Sequence, residues 1–253
     1  MAQKMTMIMV LGDTHGNIDA ASGAVFRAQA KDIKTIVQVG DFGYWEHYDH
    51  GAFLDQLSRA CKRAGVNFFW LDGNHDNHPM LWAKYTDKTE DGFIKVREHL
   101  FYIPRGHVWE WDGLKMMGVG GAYSIDKDWR IQKQGGHDTE QLWWSTEMLT
   151  EEEIEFAKSR GKVDILFTHD CPTSFENHAP WMHKSDFNSS WHRRQMNEIG
   201  TTAQPAYWFH GHMHHFVRYD HRTGGDSYAK VIGLACDGMK NNYVLFDTET
   251  LKV

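Results

Sequence analysis

The segment that decides the fold is residues 7–15, which read MIMVLGDTH. Five apolar residues, typical of a short buried strand, are followed at once by Gly12-Asp13 and further polar residues. Ile18–Ala30 then has the apolar spacing of a helix, and Thr35–Val39 is a β-branched run that ends at Gly40-Asp41. This order of strand, helix and strand predicts a parallel sheet with a crossover helix.

The same order repeats further along the chain. Ala52–Ala64 is amphipathic, and Val66–Leu71 is an apolar and aromatic run that leads into Asp72-Gly73-Asn74. Each predicted strand therefore ends in Gly or Asp followed by polar residues. Because ligands of open α/β sheets bind beyond the carboxyl ends of the strands, the sequence predicts a binding crevice at these positions.

The second half of the chain predicts mixed or antiparallel pairing. Asp112-Gly113 is a strong hairpin turn between two short apolar runs. Thr150–Arg160 is expected to be a helix that begins with a capping box. The predicted strands of this half are Val108–Trp111, Leu114–Val119, Asp164–Thr168, Tyr207–Phe209, Phe216–Tyr219, Lys230–Leu234 and Tyr243–Phe246. We interpret residues 1–253 as a single domain with irregular insertions near 123–146 and 172–205, which are long enough to be functional or to carry small helices.

Composition excludes several classes of protein. The chain has 253 residues, and its 27 Lys and Arg against 34 Asp and Glu give a formal net charge of −7, which argues against a basic surface for long nucleic acids. With 41% hydrophobic residues the chain is not disordered. Its three cysteines form no CxxC pair, and neither a signal peptide nor a membrane-spanning segment is expected. We expect a cytoplasmic protein that does not associate with membranes.

Chemistry-bearing side chains recur just after apolar runs. The segments are Asp13-Thr14-His15, Gly40-Asp41, Gly73-Asn74-His75-Asp76, Thr168-His169-Asp170 and Gly211-His212-Met213-His214. Carboxylates, one amide oxygen and several imidazoles suit Mn, Fe, Zn, Co or Ni, and suit Ca poorly. Seven such ligands are too many for one ion. They fit two ions about 3.5–4 Å apart that share a bridging carboxylate, an arrangement used for phosphoester hydrolysis.

These segments, in this order, resemble the signature of the calcineurin-like metallophosphoesterases from Asp13 to His214. The resemblance implies an α/β fold, a four-layer α/β/β/α sandwich of two mixed sheets. It also implies an enzyme with two divalent transition-metal ions, of which we expect Mn²⁺, with Fe, Zn, Co or Ni remaining open. The implied ligands are Asp13, His15 and His214 for one ion, Asn74, His169 and His212 for the other, and Asp41 as the bridge.

The resemblance further implies how the reaction proceeds. A hydroxide shared by the two ions attacks phosphorus, and His75 acts as the general acid that protonates the leaving oxygen. Protein Ser/Thr phosphatases of the family carry Asp and Arg where this chain has Tyr44 and Trp45. These two residues are predicted to wall the substrate site, and Asp76 becomes a candidate to orient His75.

The missing phosphatase residues favour a phosphodiesterase acting on a small or nucleotide-type diester. A phosphomonoesterase, for nucleotides or phosphoproteins, is the alternative, and a non-catalytic scaffold of the same fold is a remote one. Short single-stranded nucleic acid is a disfavoured substrate because of the net charge. The stretch Trp191-His192-Arg193-Arg194 combines a stacking ring with cations, which suits either a nucleobase or the attachment of a long loop to the core.

Overall fold

The computed structural model describes residues 7–134, 142–179 and 187–253. The strands are β1 Met7–Leu11, β2 Thr35–Gln38, β3 Asn67–Trp70, β4 Ile94–Arg97, β5 Leu100–Tyr102, β6 His107–Trp111, β7 Leu114–Val119, β8 Ile165–Thr168, β9 Tyr207–His210, β10 Val217–Gly224, β11 Ser227–Gly233 and β12 Tyr243–Asp247. The helices are α1 Ile18–Ala30, α2 Glu46–Asp49, α3 Ala52–Ala64, α4 His78–Lys84, α5 Lys127–Gln134, α6 Glu151–Ser159 and α7 Phe187–Ala203, with a 3₁₀ helix at Thr173–His178.

The strands form two mixed six-stranded sheets. The first has the order β12-β1-β2-β3-β5-β4, and the second has the order β10-β11-β9-β8-β7-β6. In each sheet the four inner strands are parallel and the two edge strands are antiparallel. The parallel pairing aligns the carboxyl ends of β1, β2 and β3 at one edge of the first sheet. It does the same for β8, β9 and β11 in the second.

The alternation of side chains along the strands explains how the sheets are stacked. In β1, Ile8 and Val10 belong to the core between the sheets, whereas Met9 and Leu11 pack in the cluster that contains α1 and α3. In β9, Phe209 faces the inner core, and Trp208 packs against α7 on the outer face. Both faces of the inner strands β1 and β9 are therefore buried, as expected for parallel sheets covered by helices.

The four-layer α/β/β/α sandwich predicted from the motifs is confirmed. The predicted capping box is also present, since the Thr150 hydroxyl accepts from the Glu153 backbone and the Glu153 carboxylate accepts from the Thr150 backbone. No helix in the described part of the chain is long and apolar enough to cross a membrane.

The stretch 172–205, expected to be an irregular insertion that is functional or carries small helices, contains the 17-residue helix α7, which buries Met196 and Ile199. The polar residues at its start conceal this periodicity. Within 123–146, α5 occupies Lys127–Gln134. Residues 135–141 and 180–186 of the two stretches lie outside the described residues.

Candidate metal centre

All five polar segments meet at one place, because each follows the carboxyl end of a parallel strand. Asp13, Asp41 and Asn74 follow β1, β2 and β3 of the first sheet, and His169 and His212 follow β8 and β9 of the second. The two sheets are stacked, so the strand ends of both contribute to a single crevice. The side chains then form two groups that share one carboxylate.

The first group contains Asp13, His15, Asp41 and His214, whose potential ligand atoms all lie within 4.8 Å of one another. The His214 Nε2 atom lies 3.1 Å from Asp13 Oδ2, and the His15 Nε2 atom lies 3.5 Å from Asp41 Oδ2. Asp13 and Asp41 are buried, whereas the side chain of His214 is 44% exposed. The group is therefore open to solvent on the His214 side.

The second group contains Asp41, His169 and His212. The His169 Nε2 atom lies 3.4 Å from Asp41 Oδ1 and 3.0 Å from Asn74 Oδ1, which adds the amide oxygen to this group. Asp41 thus presents Oδ2 to the first group and Oδ1 to the second. This geometry brings together all seven residues implied by the sequence resemblance, with Asp41 between the two groups.

Each of two imidazoles has one nitrogen anchored and the other directed into the site. The His169 Nδ1–H donates to the Val39 carbonyl over 2.8 Å, which leaves Nε2 for the group. The His15 Nδ1–H donates to Asp237 over 2.9 Å, and the Asn17 amide donates to the other Asp237 oxygen over 2.8 Å. Partners of this kind orient histidine ligands of metals.

Asp237 is missing from the residues singled out by sequence. It follows the carboxyl end of β11, the next parallel strand beyond β9. The signal was present, because the apolar run Lys230–Leu234 also leads to a carboxylate. Asp237 lacks the preceding glycine that marks several of the other segments, and it lies three residues beyond that run.

A second missed pair orients Asn74. The Asn74 Nδ2 group donates to the Ser124 hydroxyl over 2.9 Å, and that hydroxyl donates to Glu147 over 2.6 Å. Glu147 also accepts from the Ser124 backbone N–H over 3.1 Å. With its nitrogen held in this way, the Asn74 amide must direct Oδ1 towards His169. Ser124 and Glu147 lie in or beside the irregular stretch 123–146, where no pattern links them to Asn74.

The backbone of the site is tightly constrained. Gly40 has φ +96°, and a Cβ atom there would lie 2.2 Å from the Nδ1 atom of His169. A Cβ atom at Gly73 would lie 2.1 Å from the Asp41 backbone nitrogen. Four of the seven candidate ligands, which are not glycines, have left-handed backbone conformations: His15, Asp41, His212 and His214, with φ between 46° and 63°. Such strain costs about 1–3 kcal/mol a residue and is typical of functional sites.

The electrostatics of the site favour a cationic occupant. Burial alone favours the neutral form of Asp41, but the imidazoles of His75 and His169 hold its pKa well below the ordinary value. Burial opposes charge on His169 and His15, yet Asp41 and Asp13 raise the pKa of His169 to about 10 and that of His15 to about 9. In His212, burial prevails and lowers the pKa to about 4.

These residues fit two divalent transition-metal ions. The donor set combines carboxylate and amide oxygens with imidazole nitrogens, a mixture suited to such ions. The buried carboxylates demand positive charge, and histidine nitrogens are already aimed at them. Asp13, His15 and His214 would hold one ion, Asn74, His169 and His212 the other, and Asp41 both.

His75 lies beside the groups and contributes its backbone as well as its ring. The His75 N–H donates to Asp41 Oδ1 over 2.8 Å, and the ring Nε2 lies 3.9 Å from Asp41 Oδ2. The side chain of His75 is 32% exposed. The guanidinium of Arg130, a residue that the sequence motifs do not mark, lies against the nitrogens of this ring.

The sequence predicts that Asp76 orients His75, and the structure places the Asp76 carboxylate on backbone partners. Asp76 is fully buried, and its carboxylate accepts from the backbone N–H groups of Gly43, Tyr44 and Gly73 over 2.6–2.8 Å. These bonds join the loop after β2 to the loop after β3. Asp76 therefore shapes the backbone around Asp41 and has no described contact with the His75 side chain.

Of the two residues predicted to wall the substrate site, Trp45 faces the site and Tyr44 does not. Tyr44 has no exposed surface, and its hydroxyl donates to Glu46 over 2.9 Å, so its side chain lies in the interior. Trp45 lines a cavity beside His75, and its indole N–H donates to the His75 carbonyl.

Within the Trp191–Arg194 stretch, His192 and Arg193 lie on the core side of α7, and Arg194 is exposed. His192 and Arg193 are 0% and 1% exposed, and His192 pairs with Asp170 over 2.7 Å. The Arg193 guanidinium pairs with Glu176 over 2.6 Å. The stretch thus attaches the 3₁₀ helix and the loop after β8 to the sandwich.

A sequence model of the calcineurin-like phosphoesterase family matches residues 6–216. The chain belongs to this family. The family resemblance inferred from the motifs is thereby confirmed.

Two curated relatives are lariat debranching enzymes, each 26% identical to this calcineurin-like phosphoesterase. The match to the Drosophila pseudoobscura pseudoobscura protein covers 179 residues, 67% of this chain and 32% of the relative. The match to the Schizosaccharomyces pombe protein covers 230 residues, 81% of this chain and 47% of the relative. The chain therefore spans less than half the length of these relatives.

Solved structures share the fold. The TT1561 protein of Thermus thermophilus has a TM-score of 0.55 at 14% identity, over 98% of this chain and 97% of that chain. A dimetal phosphatase from Danio rerio has a TM-score of 0.53 at 13% identity, over 92% of this chain and 88% of that chain. At these identities the likeness shows the fold alone.

Proposed function

We propose that this phosphoesterase is a phosphodiesterase that hydrolyses a small or nucleotide-type phosphodiester. The observation that carries the proposal is the pair of ligand groups joined by Asp41, with His75 at their border. When bound, the two ions supply an activated water and positive charge for the phosphoryl oxygens. We also propose Mn²⁺ as the native ion and the cytoplasm as the location, the latter supported by three free cysteines.

The chain's own residues have distinct tasks in this mechanism. Asp41 holds the two groups together, and the anchored imidazoles His15 and His169 keep them at fixed positions. His75 holds a proton on its ring and delivers it to the oxygen of the departing group. Its partly exposed side chain lies at the open side of the site, where a substrate enters.

Two observations favour a diester over a monoester. The sequence lacks the Asp and Arg of the phosphatase branch, with Tyr44 and Trp45 in their place. The curated relatives are lariat debranching enzymes, which are phosphodiesterases. The net charge of −7 favours a small substrate over long nucleic acid.

The test compares bis(p-nitrophenyl) phosphate with p-nitrophenyl phosphate, each with Mn²⁺-loaded protein. The diester is expected to be hydrolysed with the higher kcat/KM. Asp41→Ala removes the shared ligand and is expected to abolish turnover together with binding of two Mn²⁺ ions, measured by elemental analysis. Asp55→Asn, which changes a half-exposed carboxylate paired with Arg97, is the matched control and retains both.

Preference for the monoester would replace the proposal with a phosphomonoesterase. Absence of turnover on both compounds by a protein that holds two ions would instead support the non-catalytic scaffold.

A further inference from the structure

A cavity of about 370 Å³ adjoins His75. His75 lines it, whereas none of the seven candidate ligands does so in the described part of the chain. His75 therefore stands between two compartments. One contains the ligand groups around Asp41, and the other is this cavity, whose lining comes mainly from α5, the loop at Trp144 and the segment around α2.

The cavity has aromatic walls. Trp45, Tyr48, Trp129 and Trp144 line it. Trp45 is held by its hydrogen bond to the His75 carbonyl, and Trp144 is 3% exposed with the His47 ring edge-on at 5.9 Å. Trp129 is 56% exposed and forms the outer wall. Aromatic walls of this kind offer stacking faces for a planar aromatic group, worth about 1–3 kcal/mol for each nucleobase.

The same cavity carries positive charge on the side of the metal centre. Arg130 is 3% exposed, lies against the His75 ring, and pairs with Asp126 over 2.9 Å. Lys133 lies 4.5 Å from the ring centre of Trp129. A buried guanidinium between aromatic walls and a metal centre suits a ligand that has a flat ring at one end and a phosphoryl anion at the other.

We propose that this cavity is the leaving-group subsite and that it takes the nucleobase of a departing nucleoside. The inference rests on the proposed function, because a group protonated by His75 must lie on the His75 side of phosphorus. In this step the bond between phosphorus and the nucleoside oxygen breaks, water supplies the new P–O bond, and the His75 proton goes to the nucleoside oxygen. The substrate is then a diester whose departing alcohol is a nucleoside.

The test uses adenosine 5′-(methyl phosphate) and its base-free counterpart, methyl riboside 5-(methyl phosphate), with Mn²⁺-loaded protein. The two departing alcohols are chemically alike, so only the base differs. The expected products from the first compound are adenosine and methyl phosphate. The expected kcat/KM for it exceeds that for the base-free compound about tenfold to a hundredfold, the value of one stacked base.

Trp129→Ala is expected to remove most of this preference, measured as the ratio of kcat/KM for the two compounds. Tyr228→Ala is the matched control, because Tyr228 is an aromatic residue of similar exposure, 58%, and does not line the cavity. Equal rates for the two compounds overturn the proposal. Release of methanol and adenosine 5′-monophosphate also overturns it, because the base would then lie on the opposite side of phosphorus.

Binding separates this proposal from the proposed function. Calorimetric titration with adenosine is expected to detect binding to the wild-type protein. Trp129→Ala is expected to weaken this binding at least fivefold, which corresponds to about 1 kcal/mol of stacking, and Tyr228→Ala is expected to leave it unchanged. If bis(p-nitrophenyl) phosphate is hydrolysed but adenosine does not bind, the subsite is refuted and the phosphodiesterase stands. If adenosine binds in the Trp129-dependent manner but no diester is hydrolysed, nucleobase binding in the cavity stands, whereas its role as the leaving-group subsite fails together with the proposed function.

Discussion

Ser124 is expected to control metal binding at the second ligand group although it is not itself a ligand. Its hydroxyl accepts the Asn74 Nδ2–H over 2.9 Å and donates to Glu147 over 2.6 Å. Ser124→Ala leaves the buried Asn74 nitrogen without this acceptor, a loss of about 1–3 kcal/mol. The amide can then turn its oxygen away from His169. At about 1.4 kcal/mol for each factor of ten, the affinity for the second Mn²⁺ falls about tenfold to a hundredfold.

The assay is calorimetric titration with Mn²⁺, combined with hydrolysis of bis(p-nitrophenyl) phosphate at limiting and at saturating Mn²⁺. One of the two binding events weakens, and saturating Mn²⁺ restores most of the turnover. Glu147→Gln, which keeps a group able to accept from Ser124, is expected to show a smaller loss. Ser189→Ala is the control, because it removes another buried serine hydroxyl, one that accepts from Arg193 on α7. Wild-type Mn²⁺ affinity at both sites in Ser124→Ala would refute the reasoning.

Two further predictions concern residues around the site. Asp237→Asn weakens the acceptor that orients His15. In the same titration, the affinity for the first Mn²⁺ is expected to fall about tenfold, and the affinity for the second is expected to stay unchanged. Equal loss of affinity for both ions would contradict this. Burial favours the neutral form of Glu46, but hydrogen bonds from Lys84 and its neighbours lower the pKa of Glu46 from 4.5 to about 2. The charged Glu46 carboxylate therefore stabilises the fold above about pH 4.5, and this stabilisation is lost as the pH falls towards 2. Because the Lys84 side chain is 49% exposed, solvent screens part of its interaction with Glu46. We expect Glu46→Gln to lower the free energy of unfolding, measured in urea, by about 2 kcal/mol at pH 7 and by little at pH 2. A difference that does not depend on pH would exclude the charge as the cause.

Much of the centre follows from local sequence. The apolar runs that end at Asp13, Asp41 and Asn74 require the polar groups to follow parallel strands, and parallel strands align their carboxyl ends at one edge. Gly40 and Gly73 mark the close backbone approaches that convergence demands. The order and spacing of these short segments identified the family and its fold before any contact was known.

Other residues could be placed only by the three-dimensional structure. Ser124 meets Asn74 across 50 positions of chain, Glu147 meets Ser124 across 23, and Asp237 meets His15 across 222, so no periodicity connects them. Asp76 and Tyr44 lie within three residues of the candidate ligands Asn74 and Asp41, yet both are buried in the interior. Arg130 and Trp129 come from a helix with no motif, and only the tertiary structure places Arg130 against His75 and Trp129 in the cavity beside it. Strand ends are specified locally by periodicity, whereas the partners and walls around them depend on which distant segments packing brings into contact.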